Sequence, residues 1–264
     1  MSRIGLQSGM RRLILLGASN VTIAFPLIVE SLRASFGEPI ELVAAHGHGR
    51  SFGKRSRVLF RDLPGISVCR MWDELDRRPP SPHPPLALMT DIGNDLLYGV
   101  RPPQLLGWVE TCMQRRQAAG AELAVALPPR DSVLRISAAR YYATRAIFFP
   151  GGGPGWSDMQ QMFHEVDAGL LELTGRYGAA TIRPEPKWYG IDPIHIRKSA
   201  RRTAWETILS AWPSAPVIRG VGAPFRQGLG YWRLGPAERW LFGRPQERPQ
   251  PAATLDCGTT ISLF

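Results

Sequence analysis

The 264-residue chain is poor in cysteine, in acidic side chains and in long apolar runs. Its three cysteines, Cys69, Cys112 and Cys257, are odd in number and far apart, which argues against a disulfide framework and a cysteine-based zinc site. No run approaches the roughly 20 apolar residues that a bilayer span requires. The N-terminal apolar run ends at Ser19 and Asn20, too soon for a signal-peptide core, so a soluble, cytoplasmic protein is expected. Internal repeats are missing as well, which excludes solenoid architectures. Against 32 Lys and Arg stand only 22 Asp and Glu, a net charge of +10. Hydrophobic residues make up 44%, enough for a well-buried core and incompatible with global disorder.

The charge is unevenly placed. Between Ile196 and Gln250 there are ten Lys and Arg against three Glu, and a second cluster follows the segment HGHGRSFG. Such clusters suit polyanions, but no nucleic-acid-binding motif accompanies them and the arginines are dispersed among Pro and Gly. Nucleic acid is therefore disfavoured as a partner. An anionic substrate and a membrane-facing surface stay open as readings of the charge.

Short Val, Ile and Leu-rich runs bounded by Gly or Pro predict buried strands at residues 12–16, 40–45, 66–71, 86–91, 121–127 and 179–182. Amphipathic stretches predict helices at 21–36, 103–119, 158–177 and 198–212. Strands alternating with helices specify a parallel sheet covered on both faces, a three-layer α/β/α sandwich. The proline-rich stretch 77–85 reads as an exposed connection. The run 150–155, PGGGPG, reads as a loop beside the active face. Residues 1–212 are expected to form the main domain. Residues 213–264, rich in Pro, Gly, Arg and aromatics, are expected as an irregular extension packed partly upon it.

Ligands of open parallel sheets bind beyond the carboxyl ends of the strands, and four polar segments fall there. Gly17-Ala18-Ser19-Asn20 stands between the first strand and helix, where free N–H groups favour negative charge. Plain helix capping would use the same residues. His46-Gly47-His48-Gly49-Arg50 follows the second strand, and Asp91-Ile92-Gly93-Asn94-Asp95 a later one. Asp192-Pro193-Ile194-His195 precedes the last strong helix; an Asp three residues before a His can fix its tautomer and leave the other nitrogen basic.

In this order the four segments resemble the blocks of the SGNH/GDSL hydrolase superfamily, over roughly residues 13–212. The resemblance implies a mainly parallel, five-stranded flavodoxin-like sheet and a serine esterase that needs no metal or cofactor. It implies Ser19 as nucleophile, His195 as general base and Asp192 as its orienting partner. Asn94, Gly49 and the Ser19 N–H would form the oxyanion hole, with Gly47 an alternative to Gly49. Ala18 stands where the family usually has Asp, and Ile92 where the third block normally begins with Gly. Arg50, Trp188 and Tyr189 are candidates for contacting a small ester substrate, Arg50 an anionic one. Three rival readings stay open: an acyltransferase of the same fold, a metal-dependent hydrolase using His46 and His48 with Asp91 or Asp95 and His195, and a non-catalytic basic binding module.

Overall fold

The computed structural model describes residues 10–37, 39–148 and 152–264. The strands, in chain order, are β1 (Arg11–Leu16), β2 (Ile40–Ala45), β3 (Ser56–Val58), β4 (Arg61–Leu63), β5 (Leu86–Met89), β6 (Glu122–Ala126), β7 (Ala180–Ile182), β8 (Glu238–Leu241), β9 (Arg244–Glu247), β10 (Ala253–Thr254) and β11 (Thr260–Leu263). The helices are α1 (Ser19–Phe36), α2 (Met71–Arg77), α3 (Asn94–Leu97), α4 (Pro102–Ala118), α5 (Arg130–Leu134), α6 (Ala138–Phe148), α7 (Trp156–Arg176), α8 (Arg201–Leu209) and α9 (Phe225–Arg233). No helix among the described residues is long and apolar enough to cross a membrane.

The main sheet has the order β10-β11-β2-β1-β5-β6-β7, parallel throughout except for the β10 edge. Its β2-β1-β5-β6-β7 portion is the expected flavodoxin-like sheet. Because successive side chains of a strand point to opposite faces, the apolar runs serve two cores at once. Ile14, Leu16, Val43 and Met89 pack with α2, α4 and α7, whereas Leu13, Leu15, Leu42 and Leu88 pack with α1 and α8. This double burial explains why the strands read as continuous apolar runs.

Two features depart from the sequence reading. Residues 66–71 form no strand: Ile66–Val68 is a single 3-10 turn and Met71 opens α2. Ile66, Ser67, Cys69 and Met71 are buried, but the Ile66 and Ser67 amides donate to the Ser51 and Phe52 carbonyls of a loop, not to a strand. The sheet also counts seven strands rather than five, since β10 and β11 come from the segment 213–264. That segment supplies β8 and β9 to a second, four-stranded sheet of order β3-β4-β8-β9. Its α9 docks on α1 at a chemically specific point. Pro26 lacks the N–H that would bond the Thr22 carbonyl four residues earlier, and the Trp232 indole donates to that carbonyl instead, at 3.2 Å. The expected loop at 150–155 lies partly outside the described residues.

Candidate active site

Three strand ends converge to build the site. β1 ends beside β2 and β5, and Gly17 leads from it into α1. A Cβ on Gly17 would lie 2.5 Å from Val21 and 2.9 Å from Thr90, so only glycine lets the chain turn so closely. Ser19 is consequently the first residue of α1, at the helix end whose N–H groups lack intrahelical acceptors.

Ser19 Oγ lies 2.8 Å from His195 Nε2, and His195 Nδ1 lies 2.5 Å from Asp192 Oδ2. The other carboxyl oxygen of Asp192 accepts the Ile194 and His195 amides at 3.0 and 3.2 Å, which locks the D-x-x-H turn. Burial alone would push the Asp192 carboxyl up, but the hydrogen bond and charge of His195 and the two amides hold it below the usual carboxylate range. With Nδ1–H donating to Asp192, Nε2 is left to accept from the Ser19 hydroxyl. A hydroxyl so placed can lose its proton as its oxygen attacks an electrophile.

The turn holding His195 is fastened to α1 by a residue that sequence reasoning left without a role. Asn20 Nδ2 donates to the Ile194 carbonyl at 2.9 Å and to Asp91 Oδ1 at 2.7 Å, while its Oδ1 accepts the Ile196 amide at 2.8 Å. Asp91, in left-handed backbone at φ 58°, receives the amides of Ala18, Asn20 and Val21 on Oδ2 at 2.7, 3.0 and 3.4 Å. These amides flank Ser19 without including its own. Adjacency of β5 to β1 is the signal that would have exposed this pairing, and a linear reading does not contain it.

Asn94 opens α3, and its Nδ2 is buried without an acceptor among the described residues. An orphaned amide donor of this kind costs free energy unless a ligand uses it. Asn94 and Ser19 share a cleft, walled in addition by Leu97, Phe163, Tyr189 and Ile194. Gly49 does not wall this cleft; it sits in left-handed backbone at φ 61°, with its carbonyl accepting the Tyr98 hydroxyl at 2.6 Å. Gly47 is buried, and a Cβ there would lie 2.3 Å from Leu63. Asp95, fully buried, holds the loop after Gly49 by accepting the Ser51 hydroxyl and, at 3.0 Å, the Phe52 amide. Burial pushes its carboxyl up despite those bonds.

Two substrate-contact expectations are corrected. Arg50 is 0% exposed, and its guanidinium donates to the Pro64, His46 and Phe264 main-chain oxygens, so it braces the protein interior and is out of reach of a ligand. Trp188 is likewise buried in the core beside α8, not in the cleft. Tyr189 does wall the cleft. His46 is held by Thr22 Oγ1 at 3.0 Å and packs on the Phe25 ring, while His48 is exposed. Among the described residues, no group of three or more His, Cys, Asp or Glu side chains is arranged to hold a metal ion.

No known family model and no curated protein sequence matches the chain. Among solved structures it is similar to TesA, at 16% identity and a TM-score of 0.48 over 76% of this chain and 97% of that one. It is similar to the acetyl xylan esterase AlAXEase, at 13% identity and a TM-score of 0.49 over 75% and 98%. It is also similar to AlinE4, an SGNH-hydrolase family esterase, at 18% identity and a TM-score of 0.40 over 67% and 77%.

Proposed function

We propose that the chain is a serine hydrolase acting on a small carboxylic ester, with Ser19 as nucleophile, His195 as general base and Asp192 as the group that orients it. The observation that carries this reading is the unbroken hydrogen-bond path from Ser19 Oγ through the His195 ring to Asp192. As Oγ attacks the ester carbonyl, its proton passes to His195 Nε2 and the carbonyl π pair moves onto oxygen. Asn94 Nδ2 and the Ser19 N–H are the donors offered to that oxyanion. Collapse expels the alcohol, which takes the proton from Nε2, and leaves an acyl-serine. Water activated by the same imidazole then releases the acid. Another hydroxyl in place of water would make the reaction an acyl transfer by the same groups. The apolar walls at Leu97, Phe163 and Ile194 suit an acyl group more than a charged one.

Incubation with a fluorophosphonate followed by peptide mass spectrometry tests the reading. Phosphonylation of Ser19, lost in Ser19→Ala and in His195→Ala, is expected. An unlabelled Ser19 in a folded chain that hydrolyses p-nitrophenyl acetate would refute it.

A further inference from the structure

The second sheet ends in two tight turns that carry apolar side chains into solvent. Leu59 and Phe60 link β3 to β4, and Phe242 and Gly243 link β8 to β9. Leu59 and Phe242 lie in left-handed backbone, at φ 56° and 50°, where turns of this length ordinarily hold Asn, Asp or Gly. Leu59 is 83% and Phe242 72% exposed. The pairing of β4 with β8 brings the turns side by side: the Phe242 amide donates to the Phe60 carbonyl at 2.8 Å, and the two rings stack with centroids 4.6 Å apart. Bulky apolar groups are thus held, against backbone preference, in solvent at the paired turns.

The charges around this point are sorted. Arg57 and Arg244 flank the two turns, while the half-buried Arg61 side chain turns inward beside Gly47. Asp62 of β4 is buried and bound by Arg55 and Arg57. Glu238 and Glu247 stand at the opposite end of the β8–β9 hairpin, both paired with Arg70. The apolar tip therefore has a cationic rim. A second copy of this chain would bring like charges together across the contact, whereas an anionic lipid surface satisfies both parts: acyl boundary for Leu59 and Phe242, headgroups for the arginines. We propose that the paired turns of the second sheet are a docking surface for anionic lipid bilayers. The Val58 side chain of β3 packs where a Cβ of Gly49 would stand, 2.7 Å away. The proposal does not depend on the hydrolase reading.

Co-sedimentation of the full chain with vesicles tests it. Binding is expected to phosphatidylcholine vesicles containing phosphatidylserine, to weaken as salt is raised, and to be weak on phosphatidylcholine alone. Leu59→Asn/Phe242→Asn places a residue at home in left-handed backbone, so folding is kept, and should cut binding by roughly tenfold per side chain. Arg57→Gln/Arg244→Gln should cut it by about fivefold per arginine. Hydrolysis of soluble p-nitrophenyl acetate should be unchanged in both variants, and vesicle binding is read without it. Failure of the wild-type chain to bind the serine-lipid vesicles, or binding that survives Leu59→Asn/Phe242→Asn, would overturn the proposal. So would a dimer in sedimentation velocity that this variant dissolves, which would assign the patch to a second copy.

Discussion

Replacing Asn20 by alanine removes three hydrogen bonds at once, to the Ile194 carbonyl, the Ile196 amide and Asp91. Ile194 and Ile196 bracket His195, so the change unfastens the turn carrying the candidate base from the helix carrying Ser19. Neutral hydrogen bonds are worth about 1 kcal/mol each and one to a carboxylate about 1.5–3 kcal/mol; with partial exposure a loss of roughly 2–3 kcal/mol is expected. For a chain of this size that lowers Tm by roughly 4–9 °C. The activity change should exceed what stability explains, because a displacement of about 1 Å between reacting groups can cost about 10²-fold. The kcat for p-nitrophenyl acetate should fall by about 10–100-fold with KM little altered, as befits a positioning residue. Asn20→Asp sharpens the test. It keeps an acceptor for the Ile196 amide but sets a second carboxyl group against Asp91, so it should be worse than alanine at neutral pH. Full kcat in Asn20→Ala, or an Asn20→Asp variant as active as wild type, would refute the clamp.

Asn94→Ala should lower kcat by about 10²–10³-fold while leaving Tm unchanged or raised, since it deletes a buried donor that has no protein partner; steady-state kinetics and calorimetry read both. Asp192→Asn keeps the shape of the turn but reverses the tautomer preference of His195, and should cost up to about 10⁴-fold in kcat. His46 is pushed down to about 3 by burial, aided by the charges of Arg50, Arg61 and His48. An unfolded chain takes up this proton near pH 6.5 and the folded one does not, so its stabilisation is full above that pH and is lost as the pH falls towards 3. Urea denaturation at about pH 7 and pH 5 should show roughly 1–2 kcal/mol less of this acid loss in His46→Gln than in wild type. Equal acid loss in the two would contradict the burial of that ring.

What was legible in the sequence is what local pattern encodes. Doubly buried strands such as Leu13–Leu16 and Leu42–Ala45 announce themselves by unbroken apolar character, and α4 and α7 by their helical spacing. The Asp192–His195 pair was legible because the two lie within one turn of chain, whereas its link to Ser19 came only through the family resemblance. Residues 66–71 were misread because burial and strand pairing give the same composition; only the acceptors of their amides, Ser51 and Phe52, distinguish them. β11 was not legible because its partner, β2, lies about two hundred residues earlier, and β10 is only two residues long. Arg50 was misplaced for a related reason: a guanidinium beside a glycine-rich loop looks exposed until β11 ends against it and Phe264 accepts its bond.

The same limit bears on Ala18, which stands where the resembled family usually has Asp. A carboxyl group near the N-terminus of α1 is stabilised by the amides exposed there and by the helix dipole. In this chain the group comes not from position 18 but from Asp91, at the end of the neighbouring strand, and Ala18 contributes the shortest of the amides that bind it, at 2.7 Å. Ala18 is fully buried, so an aspartate restored there would be desolvated and would face Asp91 across that contact. The substitution Ala18→Asp should therefore destabilise the chain, and pairing it with Asp91→Asn should recover part of the loss by removing one of the two like charges. Thermal melting of the single and double variants reads the coupling. If the two losses simply add, Ala18 and Asp91 do not share one carboxyl site and the departure at position 18 needs another cause.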